Sequence, residues 1–252
     1  MNYKLKYLFR HFFKQTGYFS RHNLTPLLIY TIGLIFLVLS MSTMEESGVI
    51  GYLYTLTGVM ATVWLFSMVV LNRNSTFYKD SVLKVNYIPL YVRILPTTIF
   101  QTFIFLVFTV LYSAFTTLIV QDWLINIFIL LYYVLLGVVL IIPFTLLYLS
   151  VEVRRIHTVN TLVFVVLVIT VPIIYLPENI EPWLQNLLSL NPFYYVINGL
   201  QSNAVHIGWN INRLPYDILF FSQVILLYLW MFEYYSKIKF TLYRYLKKRP
   251  GE

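Results

Sequence analysis

The side chains of this chain best suited to metal or acid–base chemistry are its histidines and one acidic pair. The adjacent residues Glu45-Glu46 offer two carboxylates to a cation, although such a pair is more typical of a solvated turn. The chain has no cysteine, which excludes Cys-ligated zinc, iron–sulfur clusters and a cysteine nucleophile. The histidines lie in different segments without the i, i+4 spacing of a helical zinc site, so no metal site is expected: His11, His22, His157 and His206.

Catalytic motifs are also missing from the sequence. It contains no Gly-x-x-x-x-Gly-Lys-Ser/Thr loop, so the chain cannot cradle ATP phosphates in the usual way. It contains no His-x-x-x-Asp or Asp-Asp cluster either. A membrane-embedded enzyme acting on lipid-linked intermediates is therefore the least favoured of the functions considered. We predict no catalytic residue and no cofactor bound by this chain.

Aromatic side chains offer the remaining chemistry, because Tyr and Phe number 22 and 20. An aromatic ring can stack on the C–H face of a sugar, and a Tyr hydroxyl can hydrogen-bond its polar rim. The alternative interpretation is an aromatic belt at the membrane interface. Our candidates for the outer end of a transport path are Tyr52, Tyr54, Trp64, Trp183, Phe193, Tyr194 and Tyr195.

Composition indicates that these residues are positioned by a membrane domain. The chain has 252 residues, of which 59% are hydrophobic and only 11% are charged. About 20 apolar helical residues cross a bilayer. We predict an all-α integral membrane fold, a single domain over 1–252, with six transmembrane helices near Leu24–Met44, Val49–Leu71, Ile94–Val120, Trp123–Val151, Thr158–Leu176 and Pro215–Phe232.

The positive charges predict how this domain is oriented. With these six spans, every Lys and Arg except Arg213 falls on one face, which the positive-inside rule assigns to the cytoplasm. We therefore expect a multi-pass protein of the cell membrane with both termini cytoplasmic. The net charge of +8 then reports orientation and not a nucleic-acid surface. The span interiors lack titratable groups for proton coupling, so energy should come from a cytoplasmic motor.

Two cytoplasmic segments are candidates for contact with such a motor. Residues 1–23 predict an amphipathic interface helix, serving as a membrane anchor or also framing a docking surface, with the key positions Leu5, Leu8, Phe9, Arg10, Phe12 and Phe13. Residues 72–93 form a connection longer than a helix–helix turn needs. A short amphipathic helix capped near Asn74 or Ser75 would fit it, and a solvated loop is the alternative. Its candidate ATPase-coupling residues are Phe77, Tyr78, Lys79, Asp80, Leu83 and Lys84.

The external connection 177–214 is unusually apolar for a loop. Glu181-Pro182 and Asn191-Pro192 each place a capping side chain before a proline suited to the first helical position, which predicts two helix starts. Helices of about 8 and 14 residues are too short to cross the bilayer. We therefore predict an external re-entrant helical hairpin between spans five and six, with Asn191 and Pro192 among the gate residues.

Three motifs in this region resemble those of a known family. They are Val153-Arg154-Arg155, Val171-Pro172-Ile173-Ile174-Tyr175 and Leu190-Asn191-Pro192-Phe193-Tyr194-Tyr195, with the pair Trp183-Leu184 between the last two. In this order they resemble the membrane subunit of a type-2 ABC exporter, most similar to exporters of teichoic acid and related lipid-linked polysaccharides. Two positions differ, because those permeases commonly have Asp where Arg155 stands and Arg where Gln201 stands.

The resemblance implies a function and partners. Two copies of the chain would form a path, and two ABC ATPase subunits carrying ATP and Mg would dock below it. The cargo would be a lipid-linked glycopolymer moved across the cytoplasmic membrane, as in cell wall biogenesis. The alternative cargo is a small amphiphile such as a drug or antimicrobial peptide. The expected partners are the ATPase, a second copy, the bilayer and the glycopolymer.

Overall fold

A computed structural model describes residues 24–40, 46–77, 90–120, 126–153, 165–167, 169–173, 180–205 and 214–248. The regular elements within these ranges are helical, and no strand occurs among them, which confirms the predicted all-α class. In chain order the helices are α1 (Leu24–Ser40), α2 (Glu46–Phe77), α3 (Leu90–Val120), α4 (Ile127–Val153), α5 (Pro182–Leu188), α6 (Pro192–Ala204) and α7 (Leu214–Lys248).

Four of these helices are long and apolar enough to cross a membrane. Their apolar segments are Ile50–Asn72 in α2, Ile94–Phe115 in α3, Ile127–Tyr148 in α4 and Leu214–Tyr234 in α7. The apolar part of α1 is shorter, Pro26–Leu39. The predicted fifth span lies only partly within the described residues, with a helical turn at 165–167. The chain is thus a multi-pass membrane protein, and the count of six spans stays a prediction.

Helix α2 lies at the centre of the bundle and α7 at its periphery. Most of the apolar segment of α2 is buried, whereas most of that of α7 is exposed. Trp64 of α2 is fully buried, and its ring stacks on Phe105 of α3 at 4.6 Å between centroids. On the opposite side, a Cβ added at Gly137 of α4 would lie 2.6 Å from Trp64 Cη2. Glycine at 137 therefore lets α4 approach α2 closely.

Polar side chains join α2 to α3 along their length. The Asn72 amide donates to Thr98 Oγ1 at 3.1 Å, and the Thr57 and Tyr112 hydroxyls lie 2.9 Å apart. Between these two levels the Trp64 indole N–H donates to the Thr102 hydroxyl of α3 at 3.3 Å. Lipid tails are as apolar as a protein core, so such bonds and close packing replace the hydrophobic effect in holding the helices together.

The connection after α2, which was predicted to be cytoplasmic, departs from the prediction at one point. Helix α2 continues through Asn74 and Ser75 to Phe77, so the predicted helix cap near those two residues is wrong. A single Asn or Ser costs only a few tenths of a kcal/mol in a helix interior, which a well-packed helix tolerates. The other predicted coupling residues, Tyr78 to Lys84, and the N-terminal helix over 1–23 lie outside the described residues. Helix α7 runs past the predicted end of its span to Lys248.

Candidate functional site

The candidate site is the helical pair formed by α5 and α6, which was predicted to be external. Both helices begin at the predicted prolines, Pro182 and Pro192, and span 7 and 13 residues. A turn over residues 189–191 joins them, closed by the Leu190 and Asn191 backbone N–H groups donating to Leu187 and Leu188. Both predicted helix starts are therefore confirmed.

The two caps differ. Asn191 Oδ1 accepts from the Phe193 N–H at 3.0 Å, so Asn191 caps α6 as predicted. Its amide nitrogen also donates to Thr170 Oγ1 at 2.8 Å and to the Leu167 carbonyl at 3.1 Å. The Glu181 side chain makes no capping hydrogen bond, so that half of the prediction is wrong. Glutamate is not among the short polar side chains that cap helices well.

Helix α6 is buried along almost its entire length and packs among α2, α4 and α7. The Phe193 ring lies 5.2 Å from that of Phe66 in α2 and 5.0 Å, edge to face, from that of Phe144 in α4. A Cβ added at Gly199 would lie 2.1 Å from a ring carbon of Tyr133. The contact between α6 and α4 thus depends on glycine at 199.

A buried amide links α6 to two other segments. Gln201 Nε2 donates to the Pro172 carbonyl at 2.6 Å and to the Tyr54 carbonyl of α2 at 3.2 Å. The side chain is fully buried, and its Oε1 has no hydrogen-bond partner in the described part of the chain. A Cβ added at Gly58 would lie 2.3 Å from the same Nε2, so only glycine leaves room for this amide.

Polar contacts also hold the C-terminal half of α6. The Asn203 amide donates to the Asn126 carbonyl at 3.1 Å, and the Asn126 N–H donates back to Asn203 Oδ1 at 3.2 Å. The Tyr54 hydroxyl donates to Asn198 Oδ1 at 3.4 Å. The end of α6 is therefore fixed beside the start of α4 and the N-terminal part of α2.

An aromatic cluster with one carboxylate lies where α6 meets α7. The Tyr195 hydroxyl donates to Asp217 Oδ1, and the Tyr195 ring stacks on Phe220 at 4.5 Å and lies 5.7 Å from the Tyr133 ring. This bond gives the carboxylate at the start of α7 a partner.

The sequence of this helical bundle matches the model of a known family. The model of the ABC-2 type transporter family matches residues 5–205, most of the chain. This chain belongs to the ABC-2 type transporter membrane family. No curated protein matches its sequence. As an ABC-2 member it is a transmembrane subunit of an ABC transporter, which implies an ATPase partner and a lipid bilayer.

The predicted path residues of this ABC-2 subunit fall in four places. Asn191, Pro192, Phe193, Tyr194 and Tyr195 come together at the start of α6, and Tyr54 contacts the same helix. The Tyr52 hydroxyl instead donates to the Gly33 carbonyl of α1 at 3.2 Å, and Trp64 lies deeper, between α2 and α3. Trp183 of α5 is 66% exposed. That these residues line a path stays a prediction.

Several residues that organise the ABC-2 subunit's helical pair were not singled out from its sequence. Gln201 was noted only as a difference from similar permeases, and its neighbour Asn203 was not noted at all. Gln223 of α7, whose amide donates to the Ser189 and Leu190 carbonyls at 3.2 and 3.1 Å, was missed as well. An amide side chain within an apolar helix is the signal that could have found them. For Gly58 and Gly199 the sequence carries no such signal.

Proposed function

We propose that this ABC-2 subunit exports a lipid-linked glycopolymer, teichoic acid or a related polysaccharide, across the cytoplasmic membrane. Two copies of the chain form the path, and two ATPase subunits that bind ATP and Mg drive it. Both termini are cytoplasmic, and the helical pair α5–α6 is a re-entrant hairpin that gates the outer side. The single observation that carries this proposal is the burial of α6, a helix too short to span, among the spanning helices.

The contacts at the two ends of α6 support a re-entrant hairpin. Asn203 is bonded to Asn126, next to the first residue of α4, whereas Phe193 contacts Phe144 far along the same helix. Helix α6 rises about 20 Å over its length, against about 30 Å of hydrocarbon in a bilayer. The chain therefore descends through α5 and returns through α6 without reaching the other side.

The turn at the tip of this hairpin is suited to membrane depth. Irregular backbone is tolerated in the hydrocarbon region only where its polar groups are satisfied within the protein. The Gln223 amide donates to the carbonyls of Ser189 and Leu190, and Asn191 caps the N-terminal end of α6. These bonds supply the turn with partners that lipid cannot offer.

The glycopolymer is favoured by the chemistry of the helical pair. A polar polymer cannot enter hydrocarbon unaided, so it requires a path lined by protein. Tyr195 on α6 and the neighbouring Tyr132 on α4 are both partly exposed, and they combine ring faces for sugars with hydroxyl groups. A small amphiphile is the second candidate, favoured by one observation: Trp183, Leu187 and Leu190 form an exposed apolar surface beside the tip of the hairpin.

Replacement of residues 78–84 tests the ATPase dock. A Gly-Ser linker of equal length keeps the connection between α2 and α3 while removing the candidate coupling residues. We expect the tagged chain to insert into the membrane as before but to lose co-purification of its ATPase. Undiminished co-purification would contradict the role of this segment.

Depletion of the chain tests the cargo. We expect the amount of glycopolymer at the cell surface to fall, measured as polymer extracted per cell mass, and to recover when the intact chain is restored. A normal envelope together with altered sensitivity to drugs or antimicrobial peptides would contradict the glycopolymer and favour the small amphiphile.

A further inference from the structure

Helix α2 forms one uninterrupted connection across the bundle. It runs from Glu46 to Phe77 without a break, a length of about 48 Å. Its C-terminal end leads directly into the connection that we propose as the ATPase dock, and α6 contacts it from Tyr54 to Phe66. A displacement at one end of such a helix is carried to the other end with little loss, because the backbone hydrogen bonds resist bending.

Helix α6 is joined to α2 at several levels. Near the outer end the Tyr54 hydroxyl donates to Asn198, and the Gln201 amide donates to the Tyr54 carbonyl. Deeper in the bundle the Phe193 and Phe66 rings are stacked. The same Gln201 amide holds the Pro172 carbonyl, so one side chain connects α2, α6 and the end of the predicted fifth span.

The Gln201 amide lies in close contact with α2. Its nitrogen lies where a Cβ on residue 58 would stand, so α2 and α6 touch through a glycine. By contrast, a Cβ at Gly51, two turns earlier in α2, would meet nothing within 4 Å. The close contact is therefore specific to the level of Gln201.

The contacts of α6 with α7 involve a helix that is less buried than α2. Helix α7 reaches the helical pair through Asp217, Phe220 and Gln223, but most of its apolar segment is exposed. Helix α5 has no buried residue. The connections of the hairpin that are both buried and geometrically tight are those to α2, at Gly58, and to α4, at Tyr133.

We propose that Gln201 is a positioning residue that fixes α6 to α2, so that the two helices move as one body during transport. The proposal rests on the proposed function and deepens it. The ATPase displaces the cytoplasmic end of α2, and the external hairpin moves with α2 instead of opening on a hinge of its own. Rupture of the Gln201 contacts would leave α6 free to move separately from α2.

Distance measurement between two spin labels tests this coupling. The chain has no cysteine, so Gly51→Cys on α2 and Leu190→Cys at the hairpin tip supply the only thiols on this subunit. A Cβ at position 51 would meet no atom within 4 Å, and the Leu190 side chain is 61% exposed, so both positions have room for a label. Each copy carries both labels, and copies are mixed with unlabelled chain so that distances within one copy dominate. The complex with its ATPase is measured without nucleotide and with ATP and vanadate.

With Gln201 intact we expect one narrow distance that is the same in both nucleotide states. With Gln201→Leu we expect the distribution to become at least twofold wider, or to shift when nucleotide is added. Gly58→Ala is the second variant, because its methyl group displaces the same amide while Gln201 remains. Ser222→Ala is the control, since its hydroxyl donates within α7, to the Ile218 carbonyl, and its loss should leave the narrow distance unchanged.

Three results would overturn the proposal: a distance that shifts with nucleotide while Gln201 is intact, an unchanged width in both Gln201→Leu and Gly58→Ala, or a widening with Ser222→Ala equal to that with Gln201→Leu. Co-purification of the ATPase with each variant shows that it is folded. No cargo enters the measurement, so a wrong cargo does not affect it. Failure of the ATPase to bind the unmutated chain would instead refute the proposed function.

Discussion

Helices α5 and α6 begin with the same two-residue pattern, a polar residue followed by proline, but they become different structures. Helix α5 has 7 residues, no buried side chain and no side-chain cap. Helix α6 has 13 residues, is capped by Asn191 and is buried among three other helices. The shared pattern thus determines where each helix begins, and contact with the neighbouring helices determines how far each is buried.

The difference indicates a division of roles within the helical pair. Helix α6 is part of the protein core, held by ring packing and by amides that leave few polar groups without partners. Helix α5 leaves the side chains of Trp183 and Leu187 exposed. Substitutions in α6 should therefore alter stability and positioning, whereas equivalent substitutions in α5 should leave the fold intact.

The largest effect is expected from Phe193→Ala in α6. We expect a loss of about 3 kcal/mol in unfolding free energy, because removal of the ring leaves a cavity between Phe66 and Phe144. The estimate is at the lower end for such changes, since lipid is as apolar as the core and only packing is lost. Denaturant unfolding in detergent measures it. Trp183→Ala in α5 is the control and should change little; equal losses would contradict the comparison.

The next effect concerns the glycine at the contact between α6 and α4. Gly199→Ala should lower the free energy of unfolding by about 2 kcal/mol, because the added methyl group overlaps the Tyr133 ring. Gly51→Ala is the matched control, since it meets open space and should be neutral or slightly stabilising in a helix. Thermal unfolding of the two purified variants makes the test, and similar transitions would show that the contact at Gly199 is not tight.

A smaller effect is expected at the two caps. Asn191→Ala should cost about 1 kcal/mol, the usual value for loss of a helix cap. Glu181→Ala should change stability by less than about 0.5 kcal/mol, because its side chain makes no capping bond. Unfolding curves for both variants measure this difference. Equal losses of unfolding free energy in the two variants would contradict the prediction.

The smallest effect is expected where the helical pair meets α7. Gln223→Leu removes one amide contact to the hairpin turn and should cost about 0.6 kcal/mol, the average for a hydrogen bond between membrane helices. Ser222→Ala is its neighbour control, because that hydroxyl bonds only within α7, to Ile218. A loss above about 2 kcal/mol for Gln223→Leu would show that α7 holds the hairpin as firmly as α2 does.

Part of the fold and of the helical pair could be predicted because it depends on local chemistry. Long apolar segments predicted α2, α3, α4 and α7, and Asn191-Pro192 predicted both the start and the cap of α6. The predicted cap at Glu181 and the predicted helix cap near Asn74 were both wrong, and for the same reason. A residue type favours a local structure such as a helix cap. Solvent access and the packing of the rest of the helix decide whether that structure forms.

By itself the sequence determined that this protein is a helical membrane domain with a short apolar helical pair between its later segments. It could do so because a bilayer demands long apolar helices whose backbone groups are satisfied internally. Only the tertiary structure decided that α6 is buried and that Gln201 meets Tyr54 and Gly58. The Gln201–Tyr54 bond joins residues 147 positions apart, and no local pattern carries information about such a partner.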